Sequence, residues 1–269
     1  MPVSVVFENI FDGTVYAAKK ERRKPPKARR TQTMTKKVGA EFIKAQEALS
    51  EDLPDRALGI LENLFRREDL RDFEKAQITR LQAYVWAEKD DYPKAMTYLQ
   101  RAFSYNALQP QAQLDLQYQI AQLSLALDKW KEGEVLLTQW FKDAEALGSP
   151  PGPSAHALLA QIYLYFASDE KKDSPEEAQF YRKAEPHAQI AVFRATEPRE
   201  NWYQLYLSIL LFDDRYEEAV PILEAMVYRF PEKRNYYRQL AALYAELKRE
   251  DDSFQIQQIM HNKGMLEKH

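Results

Sequence analysis

The amino-acid sequence predicts an all-α fold, a solenoid of about six antiparallel helix pairs, and three observations lead to it. Glycine occurs only seven times in 269 residues, which disfavours folds built on many tight turns. Strong helix formers, chiefly Ala, Leu, Gln, Glu and Lys, dominate the sequence from residue 38 onward. One pattern of small residues recurs between short polar turns, and self-similarity at a fixed period is the signature of repeat architectures.

The recurring pattern is a polar turn, often with an aromatic residue, followed by a small residue at the start of a helix. These small residues are 38, 38, 51, 35 and 34 positions apart, and they are Ala57, Ala95, Gly133, Ala184, Ala219 and Ser253. A second small position, where the paired helices approach closely, is expected twelve residues upstream. It is occupied by Ala45, Ala83, Ala121 and Ala241, by Leu207 in the fifth pair, and by Ala160, 24 residues upstream, in the fourth.

These offsets are similar to those of the tetratricopeptide repeat, a helix pair with a period of about 34 residues. The resemblance covers residues 38–266 and implies a right-handed solenoid. It places the pairs near 38–70, 73–107, 111–147, 153–196, 200–231 and 233–266. The fourth pair carries a charged insertion, 167–178, which we expect to be exposed, either lengthening both helices or forming a protruding loop.

The first 37 residues differ from the rest in charge. Residues 1–40 hold ten Lys and Arg against three Asp and Glu, a net charge of +7; because the whole chain carries −3, the remainder carries −10. Two adjacent prolines, Pro25 and Pro26, exclude a helix there. We therefore predict an extended or disordered basic arm over residues 1–37. Its clustered cations are Lys19, Lys20, Arg22, Arg23, Lys24, Lys27, Arg29 and Arg30.

The basic arm has no aromatic residues interleaved with its cations, and the acidic body behind it would repel phosphates. We therefore expect no nucleic-acid partner. A tether to an anionic membrane surface or to an acidic protein, and a plain solvated linker, are both open alternatives.

No catalytic or metal-binding arrangement stands out in the sequence. Without cysteine the chain has no thiolate nucleophile and no Cys-based zinc site. Acid pairs such as Asp213-Asp214 and Asp251-Asp252 lie at predicted turns, where they favour the positive N-terminus of the next helix. We expect no enzymatic activity, no cofactor and no metal, with an enzyme whose site no motif reveals as a weaker alternative. The histidines lie in different predicted helices or at the terminus, and they are His156, His187, His261 and His269.

The predicted binding site is the concave face of the solenoid, which the first helix of each pair lines. Glutamine, asparagine, tyrosine and arginine at these places suit hydrogen bonding to a peptide backbone, and Tyr and Arg are enriched at interaction hot spots. An ordinary solvated helix face is the alternative. The predicted row comprises Gln77, Arg80, Tyr84, Glu88, Tyr118, Gln122, Gln161, Tyr165, Asn201, Gln204, Asn235 and Arg238.

Four stretches carry a closer resemblance: Arg29–Met34, Phe42–Gln46, Pro151–Gln161 and much of Glu200–Leu266. They are similar to tetratricopeptide proteins encoded beside the TonB–ExbB–ExbD energy-transduction genes of Gram-negative bacteria. The resemblance implies an exported, periplasmic adaptor that assists TonB-dependent outer-membrane uptake of iron complexes or similar nutrients. The alternative is a cytoplasmic scaffold or assembly factor that binds a partner peptide in its groove.

The two ends of the chain give further expectations. The first 18 residues have no basic start and contain Glu8 and Asp12, so no signal peptide is recognised, and no apolar run reaches the roughly 18 residues that span a bilayer. In the last predicted helix Phe254, Met260 and Leu266 cannot all face inward at 3.6 residues per turn. We expect an exposed apolar patch there, and with it end-to-end self-association or a longer array.

Overall fold

The computed structural model describes residues 33–265, and within this range the regular secondary structure is entirely helical. Twelve helices follow one another in six pairs, which confirms the predicted all-α repeat fold. The clustered cations of the basic arm and Leu266 lie outside the described residues. The helices are α1 Lys36–Ser50, α2 Pro54–Phe65, α3 Asp72–Glu88, α4 Tyr92–Ser104, α5 Pro110–Ala126, α6 Trp130–Ala146, α7 Pro153–Asp169, α8 Pro175–Phe193, α9 Glu200–Phe212, α10 Tyr216–Arg229, α11 Arg234–Glu246 and α12 Glu250–Asn262.

The chain divides into two compact units, each with three helix pairs. Unit 1 contains α1–α6 and unit 2 contains α7–α12. In both units the two helices of a pair contact each other, and the second helix of a pair contacts the first helix of the next. Within each unit, a pair thus covers the apolar face that its neighbour leaves open, as in other repeat architectures.

The small positions predicted from the sequence are buried where the paired helices meet. Gly133 shows why size matters there, because a Cβ at this position would lie 2.5 Å from Leu125 Cδ2 on α5. In the fifth pair, Leu207 occupies the place of a small residue and is itself only 5 % exposed. The buried residues at the two positions are Ala45, Ala57, Ala83, Ala95, Ala121, Gly133, Ala160, Ala184, Leu207, Ala219, Ala241 and Ser253.

The turn inside each pair has a residue with a positive φ two positions before the second helix. In the fourth pair the following N–H, that of Ser174, bonds back three residues to Lys171 O at 3.1 Å. In the other five pairs it bonds back five residues, as from Asp91 N to Trp86 O at 2.9 Å, which is a Schellman-type helix end where glycine is the usual left-handed residue. Aspartate tolerates the conformation because its short side chain bonds locally. The six positive-φ residues are Asp52, Asp90, Asp128, Asp173, Asp214 and Lys248.

The insertion in the fourth pair lengthens both of its helices. α7 continues nine residues beyond its small position, Ala160, whereas α5 continues five beyond Ala121. α8 begins nine residues before Ala184, whereas α6 begins three before Gly133. The first turn of α8 is capped by the Ser174 hydroxyl, which accepts a hydrogen bond from the Glu177 N–H at 3.1 Å. Of the two outcomes that the sequence left open, helix extension is the one observed, and only residues 170–174 separate the helices.

The last helix, α12, exposes part of its apolar surface. Phe254 is 60 % exposed and Ile259 is 40 % exposed, whereas Met260 is buried. Two apolar side chains of this helix are therefore exposed, while a continuous patch and self-association through it stay predictions. Across residues 33–265, no helix has the length and apolar character needed to cross a membrane.

Candidate protein-binding surface

Half of the predicted row lies in unit 1, on the first helices α3 and α5, and these six residues are called the unit 1 row. None is fully buried. Partial burial and a hydrogen bond to Glu88 raise the pKa of Tyr84, so these two side chains are already joined. The Tyr118 ring lies against Trp140 of α6, with centroids 4.6 Å apart. The unit 1 row is Gln77, Arg80, Tyr84, Glu88, Tyr118 and Gln122.

The other half lies on α7, α9 and α11 of unit 2 and is called the unit 2 row. Gln204 donates to the Tyr236 hydroxyl at 2.7 Å, and Tyr236 donates in turn to the Glu200 carboxylate. Burial, together with Glu200, raises the pKa of Tyr236 to about 12, so the phenol remains a donor. This chain fixes the Gln204 amide at the surface. The unit 2 row is Gln161, Tyr165, Asn201, Gln204, Asn235 and Arg238.

Two asparagines of the unit 2 row occupy the same place in successive pairs, since Asn201 and Asn235 are 34 residues apart. Asn201 is half-buried, and Asn235 and Arg238 are exposed. Within residues 33–265, the side chains of these three residues form no hydrogen bond or ion pair. Each asparagine amide therefore has its donors and its acceptor available to a ligand.

Similarity to known proteins was found at the level of structure only. No protein-family model and no curated protein matches the sequence. A tetratricopeptide repeat protein from Parabacteroides merdae matches with a TM-score of 0.57 and 12 % identity, covering 85 % of this chain and 80 % of the other. PilF of Pseudomonas aeruginosa matches with a TM-score of 0.54 and 14 % identity, covering 76 % and 82 %.

A third solved structure, YrrB, is described as a TPR protein with an unusual peptide-binding site. It matches with a TM-score of 0.52 and 10 % identity, covering 73 % of this chain and 88 % of YrrB. This chain has the tetratricopeptide-repeat fold. The helix offsets that predicted it from the sequence are thus those of the repeat.

Sequence reasoning missed a buried carboxylate in the second tetratricopeptide pair. Glu74, in the first turn of α3, is 0 % exposed. It accepts hydrogen bonds from the backbone N–H of Thr35 at 2.7 Å and of Arg71 at 3.0 Å, and from Arg71 Nη2 at 2.9 Å. The Arg71 guanidinium and these N–H donors hold the pKa of Glu74 down at about 2. The only sequence signal was the capping-box spacing of residues 71 and 74.

Arg71 also donates to the Thr33 carbonyl at 2.5 Å. Together, Arg71 and Glu74 therefore fix the residues that lead into α1. The backbone is held there by a short helix-terminal clamp and not by apolar packing alone. We refer to Thr33, Thr35, Arg71 and Glu74 as the entry clamp.

The fourth tetratricopeptide pair brings together two histidines that sequence reasoning did not connect. His156 of α7 and His187 of α8 have their Nδ1 atoms 2.8 Å apart. Because one Nδ1 must donate and the other accept, at most one ring is charged. Burial lowers the pKa of both, and the nearby positive charges of His187 and Arg194 help lower that of His156 to about 4. No cluster of three or more metal-ligating side chains occurs in residues 33–265.

Proposed function

We propose that the chain is a non-catalytic protein-binding module and that each of its two rows binds an extended or helical segment of a partner. The proposal rests on three side chains of the unit 2 row that form no hydrogen bond or ion pair within residues 33–265. They are the amides of Asn201 and Asn235 and the guanidinium of Arg238. Amides repeated at the same place in successive pairs suit the regular N–H and C=O groups of a peptide backbone. The peptide-binding site for which YrrB is described supports this use of the fold.

The finer proposal is an adaptor in the periplasm that assists TonB-dependent outer-membrane uptake of iron complexes or similar nutrients. Its partners would be TonB-system or outer-membrane transport components. It rests on the resemblance carried by Arg29–Met34, Phe42–Gln46, Pro151–Gln161 and Glu200–Leu266. The alternative, a cytoplasmic scaffold or assembly factor, uses the same rows on a different partner.

The binding proposal is tested by crosslinking the tagged chain in its source organism and identifying the captured partner. The combined change Arg80→Ala, Asn235→Ala and Arg238→Ala is expected to weaken binding of the purified partner by about tenfold or more. A matched control on the second helices, Arg56→Ala with Gln179→Ala and Arg182→Ala, should leave it unchanged. If both sets of variants bind as the wild type does, the rows are not the site.

Localisation and uptake separate the two finer functions. Fractionation of the source organism is expected to place the chain in the periplasm, and deletion of its gene should slow uptake of an iron complex. A cytoplasmic location with normal uptake would exclude the adaptor and leave the scaffold.

The basic arm is proposed to add an electrostatic contact to an acidic partner or an anionic surface. Deleting residues 1–30 leaves the entry clamp intact, so the melting temperature should not change. Loss of binding on deletion should fade as salt rises, because screening shortens the range of the attraction. A fall of many degrees in melting temperature would show instead that the arm packs on the body.

A further inference from the structure

Unit 2 contains an apolar groove that the proposed function does not use. It has a volume of about 480 Å³ and lies where the C-terminal end of α8 and one face along α10 meet the first two turns of α9. The buried rings of Tyr203 and Tyr206 lie beneath it, and Val192, Pro221 and Ile222 line its sides. We call this the α8–α10 groove.

A large aromatic side chain stands exposed at the edge of the groove. Phe193, the last residue of α8, is 62 % exposed and contacts the Tyr206 ring edge to face, with centroids 5.7 Å apart. This contact holds the Phe193 ring beside the groove. Exposed apolar surface that adjoins a concave site is typical of an interaction surface.

The groove is lined by a positively charged side chain that has no carboxylate partner within residues 33–265. Arg229, the last residue of α10, lies over the Tyr203 ring at 6.0 Å, and no carboxylate pairs with it within residues 33–265. The one acid of the lining, Glu218, is instead held by two hydrogen bonds of 2.7 Å from Arg215. A ligand carboxylate would therefore find a cation without a competing partner.

This groove is separate from the unit 2 row. On α9, Tyr203 and Tyr206 each follow a row residue, Asn201 and Gln204, by two positions. Two residues correspond to about 200° of helical rotation, so the groove and the row occupy opposite faces of α9. A ligand on one face leaves the other accessible.

We propose that the α8–α10 groove binds a peptide segment of a partner protein in which an apolar side chain is followed closely by a carboxylate. The apolar side chain fills the groove against Phe193 and Tyr206, and the carboxylate pairs with Arg229. The segment's chemistry follows from the charge of the groove, which would repel a basic peptide. The site is a second interaction surface and does not depend on the rows.

The test begins by selecting phage-displayed random peptides on the full chain. Peptides enriched by the groove should share an aromatic or branched apolar residue within a few positions of an Asp or Glu. A synthetic peptide of this consensus should bind about tenfold more weakly to Phe193→Ser and to Arg229→Glu. Replacing its acid by lysine should restore binding to Arg229→Glu, a reversal that a merely destabilised variant would not show.

Two control variants separate this site from other surfaces. Tyr228→Ser removes a more exposed aromatic of α10 that does not line the groove, and it should bind the peptide normally. The Asn235→Ala, Arg238→Ala variant should also bind normally, whatever becomes of the proposed row function. The proposal is overturned if no acidic-apolar consensus emerges, or if Phe193→Ser leaves binding intact. It is overturned equally if Phe193→Ser abolishes self-association in sedimentation, which would make a second copy the occupant.

Discussion

In unit 1 the paired helices meet at alanines and a glycine, whereas in unit 2 the fifth pair meets at Leu207 and much of the core is aromatic. Helix α11 alone buries Tyr236, Tyr237 and Tyr244. Each of these phenols donates a hydrogen bond: to Glu200, to the Pro231 carbonyl at 3.2 Å and to Glu224 at 2.5 Å.

The difference shows that one repeat can be specified in two ways. Small residues let the paired helices approach closely, which leaves no volume for larger side chains. Unit 1 therefore requires that its contact positions carry no large side chain. Buried tyrosines instead need acceptors, because an unpaired buried hydroxyl is costly. Unit 2 therefore depends in addition on hydrogen-bond acceptors on α9, on α10 and in the turn before α11.

The strongest test of this comparison is Leu207→Ala, which gives the fifth pair the small upstream residue that the other pairs have. Because the neighbours of Leu207 are shaped around a large side chain, the change should leave a cavity and lower the free energy of unfolding by about 3 kcal/mol. Chemical denaturation measures the loss. On the same helix the more exposed Leu211→Ala should cost under about 1 kcal/mol. Equal losses would mean that Leu207 merely fills space at a small position.

A second test concerns the entry clamp of unit 1. Glu74→Gln should lower stability at pH 7 by about 2 kcal/mol, because it removes a buried charge with several donors. The folded-state pKa of about 2 lies below the usual 4.5, so the stabilisation is present above pH 4.5 and is lost as pH falls toward 2.

The two stability curves, measured by denaturation against pH, should therefore converge in acid. Asp72→Asn is the control, since its exposed ion pair with Lys75, at 3.3 Å, contributes little. A constant difference between wild type and Glu74→Gln at every pH would contradict the assignment.

The stability of unit 2 should change in a different pH range, because the pair of His156 and His187 lies there. The folded-state pKa of His156, about 4, and the lowered pKa of His187 lie below the usual value of 6.5. The contribution of the neutral histidine pair to the free energy of unfolding is therefore fully present above pH 6.5. It should fall by an amount on the order of 2 kcal/mol as pH drops to about 4. Replacing both with glutamine should flatten this part of the curve, while His261→Gln, an exposed change, should not.

The smallest effects should come from two glycines with opposite surroundings in unit 1. A Cβ at Gly59 meets nothing within 4 Å, so Gly59→Ala should stabilise α2 by roughly 0.5–1 kcal/mol. Gly133→Ala has the same propensity gain, but it should show no net stabilisation because Leu125 must move. If both substitutions raise the melting temperature alike, the helix contact at Gly133 is looser than described.

The helix pairs were predictable because the small residues repeat at offsets that sequence alone displays. An aspartate five positions before the small residue was visible too in four pairs, yet its left-handed backbone was not recognised. These residues are Asp52, Asp90, Asp128 and Asp214. Burial of Glu74 could not be inferred, since a first-turn glutamate is ordinarily exposed. His156 and His187 are 31 positions apart, and only the length and register of α7 and α8 bring them together.

The candidate surfaces show the same limit. The rows follow from counting positions on single helices; none of their residues is buried, and their role in binding stays a prediction. The α8–α10 groove depends on side chains from three helices and on how Phe193 leans against Tyr206. Periodicity says which face of a helix is outward, but not whether two outward faces enclose a concave site.

The left-handed aspartates also bear on how such an array changes length over evolutionary time. Asp52, Asp90 and Asp128 lie at intervals of 38 residues and begin identical turns. Recombination between any two of them would delete or duplicate one whole pair while leaving an intact turn at the junction. The new neighbours would still meet through alanines at the shared contact positions. Recombination at the codon of any of these aspartates could thus add or remove one helix pair while the turn at the junction is preserved.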